Sequence, residues 1–302
     1  MPLVYACICP HPPMLVPEVG RGREAEARRT VEAMRRVAEE MASFQPETAV
    51  VITSHGPAQH QAFGLLAAPS VEGDFSQWGA PEVRFAFDTD VELAERIQRE
   101  AAQEDVPVTS LRRWDGGLDW GCTVPLYYLR DALAGAQPDG RPSGRLLPIT
   151  ISWLGPRFHF DFGRAVGRAL AAYERRVVFI CSADLSHALQ PGTKGGYDPA
   201  GHVFDERYRR TIEQWDVKWL VHLESDFRRH AAEDAVPQTA VLMGALSGYR
   251  IQPRVLSYEG PFGVGYLVAA IDVLGPRHRG EAKATAEPSA AREPWTSTSS
   301  TG

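Results

Sequence analysis

The chain has 302 residues, 44% hydrophobic and 23% charged, with a formal net charge of −6. That composition belongs to a folded protein with an ample core and excludes a wholly disordered chain or a fibre. The acidic balance offers no basic surface for nucleic acid or anionic lipid, and no apolar run reaches the roughly 18 residues of a membrane span.

The first apolar run, Leu3 to Cys9, is short and nearly uninterrupted, the pattern of a strand covered on both faces. It lacks the basic start of a secretory signal. Good helix formers from Glu24 predict a helix to about Phe44, which Gln45-Pro46-Glu47 ends. Thr48 to Thr53 then reads as a second buried strand leading into Ser54-His55-Gly56, and strand, helix, strand is the unit of a parallel sheet. Strands are expected at 62–68 and 83–87, with Val71 to Pro81 as loop, and Asp90 caps a helix to about Gln103. Helices at 123–134 and 162–175 alternate with strands at 145–152 and 177–181. A polar helical region at 199–248 precedes two last strands, 251–258 and 264–274.

The expected fold is therefore α/β, a single domain over residues 1–275 with a central mixed, largely parallel sheet flanked by helices. From Pro276 the chain turns to Ser, Thr, Ala and Pro, so 276–302 reads as a disordered tail or linker stub. Four cysteines (Cys7, Cys9, Cys122, Cys181) are too few for a disulfide scaffold and lack zinc-ribbon spacing. They read as buried free thiols of a cytoplasmic protein, with Cys7 and Cys9 on one face of their strand.

Open α/β sheets bind ligands beyond the carboxyl ends of their strands. His11 follows the first strand, His55 the second, Asp184 and His187 the strand at Val177, and Glu259 closes the strand from Ile251. Gathered by the fold, two imidazoles and a carboxylate would suit non-haem Fe(II) and O₂ chemistry, or equally a catalytic Zn²⁺; Mn²⁺ is a further option. His187 would then act as acid/base beside the metal. Each residue also has a plain structural reading: turn caps for His11 and His55, a loop acid for Glu259, a local pair for Asp184 and His187. His60, His159, His202, His222 and His230 fall in loops or on polar helical faces and read as solvated. The glycines at 20, 22 and 260–265 match neither a dinucleotide fingerprint nor a phosphate loop, and no G-x-S-x-G elbow is present. NAD, ATP and acyl-transfer chemistry are thereby set aside.

At Cys9-Pro10-His11-Pro12-Pro13, Thr53-Ser54-His55-Gly56, Cys181-Ser182-Ala183-Asp184-Leu185-Ser186-His187 and Ser257-Tyr258-Glu259-Gly260-Pro261 the sequence resembles class III extradiol ring-cleaving dioxygenases. These are typified by the β subunit of protocatechuate 4,5-dioxygenase. The chain is especially similar to the bacterial AmmeMemoRadiSam group, related to Memo proteins, whose members often carry a further C-terminal domain. The resemblance implies His11, His55 and Glu259 as Fe(II) ligands and His187 as the acid/base. It implies a catechol-like aromatic and O₂ as substrates, and self-association into a homo-oligomer. Pro12 and Asp184 join Trp120 as expected pocket residues. Trp120 is the departure: the family's Asp-His-Gly is here Asp119-Trp120-Gly121, and an indole cannot shuttle a proton at neutral pH. A Memo-like metal-binding accessory protein, working with a protein partner or a radical-SAM enzyme, and a Zn²⁺-dependent hydrolase are the alternatives.

Overall fold

A computed structural model describes residues 2–57, 59–114, 116–133, 144–193 and 195–277. Strand β1 (Leu3–Cys9) leads through a 3-10 turn (Pro13–Leu15), α1 (Pro17–Gly20) and a second 3-10 turn (Arg23–Ala27) into α2 (Arg28–Ala42) and β2 (Thr48–Thr53). There follow β3 (Phe63–Leu66), β4 (Ser70–Phe75), β5 (Ala80–Asp88), α3 (Val91–Ala102), β6 (Val108–Leu111), α4 (Trp120–Leu129), β7 (Arg145–Thr150), α5 (Pro156–Ala171) and β8 (Val177–Ser182). The last third holds β9 (Asp184–Ser186), α6 (Pro199–Gln214), α7 (Val217–Val221), α8 (Ser225–Ala231), β10 (Glu233–Asp234), α9 (Val236–Ala245), β11 (Tyr249–Glu259) and β12 (Tyr266–Pro276).

Eight strands form one mixed sheet in the order β11-β12-β1-β8-β2-β7-β3-β6. Its centre, β1-β8-β2-β7, is parallel throughout; β12 joins β1 antiparallel, and β3 joins β7 antiparallel. Both faces are covered, which is why the central strands read as unbroken apolar runs. Ile8, Ile52 and Phe179 point into one core, against α3, α5, α6 and α9. Cys7, Val51 and Ile180 point into the other, against α2, α4 and the β4–β5 hairpin. Cys7 and Cys9 do share a face, and all four cysteines are buried free thiols. Burial pushes the thiols of Cys9, Cys122 and Cys181 up, away from the reactive thiolate.

The structure corrects several boundaries. Residues 71–81, expected as loop, form most of β4 and the tip of its hairpin with β5. Helix α4 begins at Trp120; it is apolar on nearly every side and so carries no amphipathic period to mark its start. Its expected end at Ala134 lies outside the described residues. Helix α5 begins at Pro156, six residues early, because proline suits the first helical position. Strand β6 is new, and the polar region at 199–248 is divided into α6 to α9 with β10 between. The expected tail, Pro276 and Arg277 apart, also lies outside the described residues. No helix among the described residues is long and apolar enough to cross a membrane.

Candidate metal centre

The parallel strands β1, β2 and β8 end at one edge of the sheet, and their following residues carry the polar side chains there. His11 is buried, 1% exposed. Its backbone N–H donates to Asp184 Oδ1 at 2.9 Å, and its Nδ1 meets Ser182 Oγ at 2.9 Å. With Nδ1–H given to Ser182, Nε2 is the nitrogen that a metal would take on displacing its proton. His55 is set by a short relay: its N–H donates to Thr53 Oγ1 at 3.1 Å, and Thr53 donates to Asp119 Oδ1 at 2.7 Å. Gly121 allows this, since a β-carbon there would lie 2.2 Å from Thr53 Oγ1.

The two Nε2 atoms stand 3.0 Å apart, with the rings at 90°. Asp234 Oδ2 faces both, at 3.4 Å from His11 Nε2 and 3.3 Å from His55 Nε2. These three side chains form the one group of potential metal ligands among the described residues, with ligand atoms within 4.8 Å of one another. Desolvation works against a charged His11, but Asp184, then Asp234 and Asp119, outweigh it and raise its pKa to about 9. Desolvation likewise opposes ionisation of Asp234, yet the two imidazoles hold it well below the usual carboxylate range. The site is an anionic socket that attracts a cation. Two imidazoles and one carboxylate on a common centre fit a divalent transition metal.

Glu259 is not part of this group, which corrects the expectation that it completes the ligand set. Its Oε1 accepts from the Thr30 N–H at 2.6 Å and Thr30 Oγ1 at 2.7 Å, and its Oε2 from Arg29 Nε at 3.2 Å. It caps the first turn of α2, which has no side-chain cap of its own. The physical reason is lateral position. β11 ends at the same sheet edge as β1 but two strands away, about 10 Å at the usual strand spacing.

The carboxylate comes instead from β10, a two-residue strand paired antiparallel with β9 so that Asp234 lies opposite Asp184. Sequence spacing held no signal for it: Asp234 sits in a polar helical stretch beside Glu233, and the ladder that places it is two residues long. Ser54 Oγ donates to Asp234 Oδ2 at 2.8 Å, and Gln238 Nε2 to Oδ1 at 2.9 Å. Ser54, Ser182 and Asp119 stand inside the motifs quoted from the sequence but had no role assigned, and Gln238 was not singled out at all.

His187 lies at the rim. Its backbone N–H and its Nδ1 both reach the Ala232 carbonyl, each at 3.1 Å. Donation from Nδ1–H leaves Nε2 as the basic nitrogen, 3.9 Å from Asp184 Oδ2. Asp184 Oδ2 is also 3.8 Å from His11 Nε2, so this carboxylate stands between the ligand cluster and the rim histidine. Trp120 packs its ring on His55, centroids 4.2 Å apart, and Trp78 meets Trp120 edge-on at 6.0 Å. Pro12 is buried and opens the 3-10 turn behind His11. Of the histidines expected to be solvated, His159 is not. It is fully buried, its Nε2 accepting from Ser152 N–H at 3.3 Å, and burial lowers its pKa to about 4.

The pattern of the family described as the catalytic LigB subunit of aromatic ring-opening dioxygenase matches residues 5–269. The chain belongs to this family. A curated relative, Protein CA_C1420 of Clostridium acetobutylicum, is 31% identical over 274 residues, 88% of this chain. The match covers 57% of that relative, so the chain spans little more than half of its length. Among solved structures, the uncharacterized protein JW3007 from Escherichia coli K12 superposes with a TM-score of 0.56 over 89% of this chain and 99% of its own. At 15% identity that likeness speaks to the fold alone. The LigB family thus gives the chain a dioxygenase-type α/β fold with a group of side chains able to hold a metal.

Proposed function

We propose that this protein is a non-haem Fe(II)-dependent oxidoreductase of the extradiol dioxygenase type, opening a catechol-like ring with O₂. The observation that carries the reading is the convergence of His11 Nε2, His55 Nε2 and Asp234 Oδ2 on one point, with a basic imidazole beyond them. Two neutral nitrogens and one carboxylate are the donor set that suits Fe(II) while leaving positions for substrate. When bound there, Fe(II) would act as a Lewis acid toward the diol and supply the redox partner for O₂.

The remaining work falls to the chain. Ser182 and the Thr53–Asp119 relay hold the two imidazoles in place. His187 Nε2 accepts a hydroxyl proton of the diol and later returns it to the leaving oxygen; its Nδ1–H stays on the Ala232 carbonyl throughout. Asp184 stabilises the imidazolium formed at His187. Trp120 and Trp78 offer apolar aromatic surface beside His55, in keeping with a planar ring as substrate.

Trp120 also favours a second reading, because it stands where the family has a second acid/base. A Memo-like metal-binding accessory protein, or a Zn²⁺-dependent hydrolase, would keep the ligand group and need no such histidine. Anaerobic loading with Fe(II) followed by O₂ uptake against a panel of catechols separates them. Substrate-dependent uptake with a yellow ring-opened product supports the dioxygenase; stoichiometric metal with no uptake supports the second reading.

A further inference from the structure

We propose that Gln238 is the positioning residue for the carboxylate of the metal centre, holding Asp234 so that one oxygen alone is presented to the metal. The inference rests on the reading that His11, His55 and Asp234 hold a divalent ion. Gln238 lies one helical turn beyond Asp234, in the first turn of α9, and is completely buried. Its Nε2 donates to Asp234 Oδ1 at 2.9 Å and to the Asp234 main-chain carbonyl at 3.2 Å. Both neighbours are acceptors, which fixes the amide with its nitrogen on that side. Its Oε1 is then left buried with no hydrogen-bond partner.

An unpaired buried acceptor is costly, and a leucine of similar size would avoid it. What glutamine supplies in return is control of Asp234. The two-residue β10 is too short to fix that side chain by itself. Gln238 takes Oδ1, while Oδ2 receives Ser54 Oγ at 2.8 Å and faces the two imidazoles. A carboxylate held at both ends cannot rotate to offer both oxygens. The position that a second oxygen would fill stays open to small ligands, as an activity on two substrates requires.

The test uses the full chain with Gln238→Leu and Gln238→Met, titrated with Co²⁺ as a spectroscopic probe. Both variants are expected to bind Co²⁺ about 10- to 100-fold more weakly, with an altered visible absorption spectrum. The metal-free melting temperature is expected to change little, because loss of the bonds to Asp234 is offset by removal of the orphaned Oε1. A glutamine that merely supported the fold would instead lower the metal-free melting temperature and leave the Co²⁺ spectrum alone. That result, or wild-type affinity and spectrum in both variants, overturns the assignment. Wild-type protein that takes up no Co²⁺ overturns the metal-centre reading and the role of Gln238 with it.

Discussion

Asp234 lies directly across the β9–β10 ladder from Asp184, and this pairing sets both carboxylates close to His11 Nε2, at 3.4 and 3.8 Å. The two acids have different tasks. Asp234 joins His11 and His55 in the group of potential metal ligands, whereas Asp184 also accepts the His11 backbone N–H and faces His187.

Asp234 and Glu259 are therefore separable by mutation. Asp234→Asn is expected to abolish stoichiometric metal binding, with the fold retained. Glu259→Ala is expected to keep full metal content but to cost about 1–2 kcal/mol of stability, through the uncapped first turn of α2. Metal analysis and denaturant unfolding on the same preparations check both.

His187 touches no ligand atom of the group, so His187→Ala is expected to leave Fe(II) content unchanged. Ring-opening turnover should fall by about 10²- to 10⁴-fold, the usual contribution of a positioned acid/base. Steady-state kinetics with measured iron content gives the answer.

Trp120 packs its ring on His55, and under the proposed function it stands in the place of a proton-transferring histidine. Trp120→His is expected to raise turnover on catechols, by about tenfold or more, without changing metal stoichiometry. Equal turnover in wild type and variant would show that His187 alone moves the protons.

Asp205 gives the fold a pH dependence of its own. It is 1% exposed; burial raises its pKa to about 7, against the Ser186 N–H and Tyr258 hydroxyl that hydrogen-bond to it. Because the folded pKa lies above the unfolded one, the folded state holds an extra proton between about pH 4 and 7. Its contribution is fully present below the unfolded value and is lost as pH rises through 7. The loss is on the order of 4 kcal/mol for a shift of this size. Asp205→Asn imitates the protonated acid and is expected to be more stable than wild type at pH 8 and similar to it at pH 4. Chemical denaturation at the two values measures the difference.

Much of this was legible in the residues. The unbroken apolar runs of β1, β2 and β8 exist because both sheet faces are covered, and they locate His11, His55, Asp184 and His187 at one sheet edge. The same logic placed Glu259 at that edge, and rightly, but sequence does not give lateral strand order, and β11 is two strands from β1. Asp234 was hidden for a different reason: a two-residue ladder leaves no periodicity to read. The start of α4 was obscured by uniform burial, so Trp120 looked like loop when it is the first residue of a helix.

The central claim is that His11, His55 and Asp234 hold an iron at which a diol and O₂ react, and ¹⁸O₂ labelling tests it most directly. Fe(II)-loaded protein turning over a catechol under ¹⁸O₂ is expected to place both labelled atoms in the ring-opened product, and Asp234→Asn to give none. Full iron occupancy with no labelled product, or labelling undiminished in Asp234→Asn, would contradict the account.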